Sequence, residues 1–149
     1  MSVELYRRRL PHLRSDGATY FVTWRLEHGQ AELTPDERSV VASTLRHFDT
    51  KRYELLAYVI MNDHVHVLVH PLGVTRLQDV LHSWKSYTAN RFQDQFMRVG
   101  RVWQEEYFDR IMRDEAELMG KVEYILHNPR KRWPEIGAYE WVWVRTDHE

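Results

Sequence analysis

The stretch from Tyr53 to His70 constrains this chain most. Tyr53 to Met61 is a nearly continuous apolar run, Asn62-Asp63 has turn chemistry, and His64 to His70 alternates His and Leu with Val65, Val67 and Val69. A short apolar run followed across a turn by strict alternation predicts a hairpin of two central strands. On the second of these strands a period of two puts His64 and His66 side by side on one face, with Val65 pointing the other way into the core.

Other elements follow from local signals. Residues 18 to 26 alternate, with Tyr20, Val22, Trp24 and Leu26 on one side and Thr19, Phe21, Thr23 and Arg25 on the other, which predicts the first strand. Thr34-Pro35-Asp36-Glu37 supplies an N-cap, a proline at the first helical position and a capping-box glutamate; the helix it opens ends near Asp49. Thr75, with Gln78 three residues on, opens a second helix whose buried stripe is Leu77, Val80, Leu81, Trp84, Thr88 and Phe92. Trp103 to Met112 is the candidate fourth strand. Asp114 with Glu117 starts a last helix, expected to stop near Asn128 because Pro129 cannot continue the ladder. A Trp-rich tail follows at Trp141 to Val144. The order predicts an α+β fold, a ferredoxin-like βαββαβ antiparallel sheet with two helices on one face and an additional C-terminal helix.

With 149 residues, 43% of them hydrophobic, and no linker or repeat, the chain reads as a single soluble domain over 1–149 with its core at about 18–129. A formal charge of −1 excludes a global positive field, yet 17 of the 21 basic residues are Arg. They cluster at Arg7-Arg8-Arg9 and at Arg130-Lys131-Arg132, so phosphate binding stays open locally. The absence of cysteine excludes disulfides, thiolate metal sites and a cysteine nucleophile. No signal peptide and no run of about 18 apolar residues is present, so a cytoplasmic protein without membrane contact is expected.

Two imidazoles at the spacing of His64 and His66 can share a divalent ion and leave positions open for a third ligand, water or a substrate oxygen. The same tripeptide is also what an ordinary half-exposed strand presents. His70 lies on that face but sits against Pro71. A chemistry based on paired His-x-Thr/Ser strands needs two copies, and the chain has one, with His in the third place. On the last helix Leu118, Val122, Ile125 and Leu126 form the apolar stripe, while Glu117, Gly120, Lys121, Tyr124 and Asn128 fall opposite. Tyr124 is thus a candidate nucleophile, Asn128 a ligand one turn beyond it, and Lys121 a cation one turn before. A surface tyrosine and a helix-ending Asn would look the same. Tyr87 and Tyr107 are alternative nucleophiles.

Together these segments resemble the HUH single-tyrosine transposase superfamily and, within it, the REP-associated tyrosine transposases. Met61-Asn62-Asp63-His64-Val65-His66 is similar to the family's Met-Pro-Asn-His-Val-His, and Tyr124-Ile125-Leu126-His127-Asn128-Pro129 to its Tyr-Ile-x-x-Asn-Pro. Trp84-Lys85-Ser86-Tyr87-Thr88 is similar to Leu-Lys-x-x-Tyr-Thr, and Val102-Trp103-Gln104-Glu105-Glu106-Tyr107-Phe108 to Val-Trp-Gln-x-x-Tyr/Phe. The departure is Asn62-Asp63 for Pro-Asn. The resemblance implies that His64, His66 and Asn128 bind Mg²⁺ or Mn²⁺. It also implies that Tyr124 attacks a single-stranded DNA phosphodiester within hairpin or palindromic repeats, giving a 5′-phosphotyrosyl intermediate. Trp103, Tyr107 and Phe108 would stack on unpaired bases, and Lys85, Arg91, Arg110 and Arg113 would track the backbone. A monomer serving Tyr124 in cis is expected over a helix-swapped homodimer. The alternatives are a non-catalytic single-stranded nucleic-acid-binding module and a domesticated DNA-binding regulator.

Overall fold

Three strands and three helices arise where the local signals put them. The computed structural model describes residues 10–146, so the Arg7-Arg8-Arg9 cluster lies outside the described residues. The elements run β1 (Tyr20–Arg25), α1 (Pro35–His47), β2 (Tyr53–Ile60), β3 (His64–Pro71), α2 (Leu77–Gln95), β4 (Phe108–Ile111), α3 (Glu115–Arg132) and β5 (Val142–Val144). They build an antiparallel sheet in the order β4-β1-β3-β2-β5. The first four strands have the ferredoxin-like arrangement expected, and β5 adds a fifth at the outer edge of β2.

The α1 cap forms as its sequence specifies. The Thr34 hydroxyl accepts from the Glu37 amide and the Glu37 carboxylate accepts from the Thr34 amide. Arg98 then donates to both Glu37 oxygens, at 2.6 and 2.7 Å, in a pair almost wholly buried. Burial alone would raise the Glu37 pKa; the Arg98 and Thr34 hydrogen bonds overcome it and hold the carboxylate below its ordinary value.

The two faces of the sheet bury different partners. Val22 and Trp24 of β1, with Val65, Val67 and Val69 of β3, pack against α1 and α2. Phe21, Leu68, Leu56, Ala57 and Val59 pack instead against Leu118, Val122 and Ile125 of α3. A bulge between Leu55 and Ala57 lets successive residues of β2 face the α3 side. That is how one continuous apolar run serves both faces.

Several expectations are corrected. The second helix is capped at Arg76 without a side-chain bond, so Thr75 and Gln78 form no capping box. Of Trp103 to Met112 only Phe108–Ile111 is a strand, and Trp103 makes a single bridge to Leu26. The last helix does not stop near Asn128. It continues through Pro129 to Arg132, with the Trp133 amide donating to the Pro129 carbonyl at 2.8 Å. Pro129 removes one ladder hydrogen bond. Burial of Asn128 and Pro129, and three basic side chains in the last turn facing the negative end of the helix dipole, keep the turn helical. The Trp-rich tail packs over the domain, Trp141 and Trp143 on the α1–α2 side and Trp133 on the α3 side, and within it Val142–Val144 forms a strand that the sequence pattern did not indicate. No described helix is long and apolar enough to cross a membrane.

Candidate active site

The site lies on the face of the sheet that α3 covers. Antiparallel pairing places Thr23 opposite His66 and Arg25 opposite His64, while Phe108 stands opposite Thr23 and Arg110 opposite Phe21. Paired residues point to the same face, so β4, β1 and β3 bring Phe108, Thr23 and His66 into one row. The His64 and His66 rings are 4.7 Å apart between centroids.

Across this row comes the helix. The Tyr124 ring packs edge-on against His66 at 5.2 Å and against Phe21 at 6.1 Å, with 40% of the residue exposed. Phe21 also stacks on His66 at 5.3 Å. Lys121, one turn before Tyr124, places its ammonium 4.6 Å from the Phe21 ring and 5.5 Å from the Tyr124 ring. Asn128, one turn after, is buried.

Both imidazoles are held at Nδ1. His66 shares a 2.7 Å hydrogen bond with the Thr23 hydroxyl, and His64 shares one of 2.7 Å with the Asp63 carboxylate. Burial lowers the His66 pKa from 6.5 to about 3, and the charges of His64, Arg25 and Lys121 push in the same direction. His66 is therefore neutral at physiological pH, the state a metal ligand needs.

Four buried side-chain N or O atoms lack a hydrogen-bond partner among the described residues: Trp24 Nε1, Arg38 Nε, His66 Nε2 and Asn128 Oδ1. The first two can only donate. The last two can present lone pairs, and a cation satisfies such atoms. This donor set, nitrogen and amide oxygen, fits a divalent ion. Among the described residues no group of three His, Asp or Glu gathers, so a complete coordination sphere would draw on Asn128, water or substrate oxygen.

The remaining sequence-derived candidates divide between the faces. Phe108 and Arg110 are exposed on the histidine face, with Arg110 paired to Glu117. The Arg113 amide donates to the other Glu117 oxygen. Trp103 is a correction: it is 4% exposed, sits in the α1–α2 core and donates to Thr88, so it offers no stacking surface. Lys85 lies on that same far side, donating to the Gln104 and Glu105 carbonyls and standing over Tyr107. Arg91 bonds Gln95 and covers Tyr87, whose ring lines a cleft between α1 and α2. Neither Tyr87 nor Tyr107 is brought to the histidines. His70 forms its own buried pair with Thr19 at 2.8 Å, four residues along β3 from His66.

Sequence reasoning passed over Thr23 and Arg25 as site residues. Their alternation on β1 was visible, but only the β1–β3 register sets them beside His66 and His64.

The site is thus a paired-histidine strand crossed by a tyrosine-bearing helix on a ferredoxin-like sheet. The family described as transposase IS200-like matches residues 16–128, and the chain belongs to it. A Haemophilus influenzae protein provisionally described as a REP-associated tyrosine transposase is 24% identical over 132 residues, covering 77% of this chain and 72% of that protein. The fold matches a REP-associated tyrosine transposase solved bound to a REP hairpin, with TM-score 0.64, 19% identity, and 84% of this chain and 73% of that one covered. It also matches a provisionally described transposase from Deinococcus radiodurans R1, with TM-score 0.54, 20% identity, and 80% and 97% covered.

Proposed function

We propose that the protein is a metal-dependent single-stranded DNA endonuclease and strand transferase that acts on hairpin-forming repeats through Tyr124. The observation that carries this reading is the Tyr124 ring lying 5.2 Å from His66, which brings a phenol to a pair of imidazoles able to hold a divalent ion. In the same reading the protein is a monomer that uses its own tyrosine. The hairpin substrate is extended to this chain from the structural relative solved with a REP hairpin.

In this reading His64, His66 and Asn128 hold Mg²⁺ or Mn²⁺, which would supply Lewis-acid polarisation of the scissile phosphate. The chain does the rest. Arg25 and Lys121, cations that flank His66, hold the phosphodiester oxygens against the site. Phe108, exposed in the same row, stacks on an unpaired base. The Tyr124 oxygen attacks phosphorus and loses its phenolic proton as the P–O bond forms. The bond to the 3′-oxygen breaks, and that oxygen takes up a proton as it leaves. The 5′-phosphotyrosyl link keeps phosphodiester energy, so a later 3′-hydroxyl can displace Tyr124 and join strands without a nucleotide cofactor.

The test is incubation of labelled single-stranded hairpin DNA with Mn²⁺ and resolution on denaturing gels. Wild type is expected to give a covalent band that Tyr124→Phe and the His64→Ala/His66→Ala double variant both lose. A band that persists in Tyr124→Phe moves the nucleophile elsewhere. Binding without any band across a panel of hairpins favours the non-catalytic nucleic-acid-binding module.

A further inference from the structure

We propose that Asp63 is a positioning residue for the ion site: its carboxylate fixes the His64 tautomer that leaves the Nε2 lone pair free for a cation. The inference rests on the metal reading above and concerns a residue that reading leaves without a role.

The two Nδ1 contacts look alike in length and differ in chemistry. Asp63 Oδ1 lies 2.7 Å from His64 Nδ1. An ionised carboxylate accepts and cannot donate, so the proton of a neutral His64 ring must sit on Nδ1. The other nitrogen is then an acceptor before any ion arrives. Left to itself in water, a neutral imidazole carries its proton mainly on Nε2, the arrangement that would block coordination there. Thr23 sets no such condition. Its hydroxyl, 2.7 Å from His66 Nδ1, can donate or accept and so tolerates either tautomer.

Asp63 is also placed to act through charge. Its side chain is 56% exposed and that of His64 16% exposed, so the carboxylate stays hydrated at the rim while the ring it bonds lies mostly under the surface. A carboxylate on the far nitrogen makes an imidazole a stronger ligand, and losing such a partner typically weakens metal affinity 10–100-fold. The site is therefore asymmetric, with His64 prepared by Asp63 and His66 held by the neutral Thr23 in a buried place.

The full chain without metal tests this directly. Long-range ¹H–¹⁵N correlation of the histidine rings at pH 8 should show His64 protonated on Nδ1 in wild type, and shifted towards Nε2 protonation in Asp63→Ala. Titration with Mn²⁺ alone, without DNA, should give affinity about tenfold or more weaker in Asp63→Ala. Asp63→Asn, which keeps an acceptor oxygen without the charge, should fall between. A wild-type His64 protonated on Nε2 overturns the proposal, as does an Asp63→Ala affinity within twofold of wild type. The His64→Ala/His66→Ala variant separates the two levels. Mn²⁺ binding that survives in it overturns the metal reading, whereas binding lost there but unaffected by Asp63→Ala overturns the role of Asp63 alone.

Discussion

The two faces of the sheet differ in the kind of buried polar atom they leave without a partner: donors on one, acceptor-capable atoms on the other. On the α1–α2 face, Trp84 Nε1 donates to the Tyr53 hydroxyl, which donates to the Leu45 carbonyl, and Trp103 Nε1 donates to Thr88, which donates to the Trp84 carbonyl. Trp24 stacks on Trp84 at 5.8 Å and meets Trp103 edge-on at 6.1 Å, and its indole N–H, like Nε of Arg38 on α1, is a donor without a partner among the described residues. On the α3 face, acceptor-capable atoms of His66 and Asn128 are buried without donors beside a half-exposed tyrosine. One face uses polarity to complete a packed core. The other pairs His66 Nδ1 with Thr23 and His70 Nδ1 with Thr19 but leaves His66 Nε2 and Asn128 Oδ1 unpartnered, which costs stability and leaves those two atoms ready for a ligand.

Tyr124→Phe breaks the comparison most sharply. Covalent adduct on denaturing gels should vanish, while the unfolding free energy from urea denaturation changes by less than about 0.5 kcal/mol, because the ring and its contacts remain. Phe92→Ala should do the reverse. Its side chain is fully buried between Trp103 and Phe96, and truncation should cost about 3–5 kcal/mol in urea denaturation. A cost below about 1 kcal/mol would mean that this face is not the rigid one.

The acid limb sharpens the contrast. With a folded pKa of about 3 against an ordinary 6.5, native His66 stays neutral where the unfolded chain binds a proton. Its contribution to stability is therefore fully present above pH 6.5 and is lost progressively as pH falls towards about 3. In EDTA, His66→Gln should flatten the dependence of the urea midpoint in that window; an unchanged slope would show that His66 titrates normally. Asn128→Leu removes the unpartnered Oδ1. It should raise the metal-free unfolding free energy from urea denaturation by about 1 kcal/mol while abolishing cleavage. Lower stability would mean that the amide is satisfied in solution.

Much of this was legible before any coordinates. The Thr34 cap, the two-sided run of β2 and the alternation that pairs His64 with His66 are local patterns, decided by residues a few positions apart. The histidines by themselves were equally readable as half-exposed strand residues, and Tyr124 as a surface tyrosine. The motif resemblance supplied their assignment, and the fold brings the Tyr124 and His66 rings together. Trp103 misled because an aromatic beside charged residues reads as readily as a contact surface as it does as core. Pro129 misled because a local helix-stop signal was overridden by burial of the turn containing it.

By itself the chain's sequence determined the first three strands, the Thr34 and Asp114 helix caps and the side-by-side histidines, since periodicity and hydrogen bonding within a few residues decide these. Which face α3 covers, that Thr23 and Arg25 flank the histidines, and that Asn128 is buried without a partner were decided only by tertiary structure. Those relations depend on strand register and on packing between segments far apart in the chain, where the winning contact is set by the sum of buried surface rather than by any local signal.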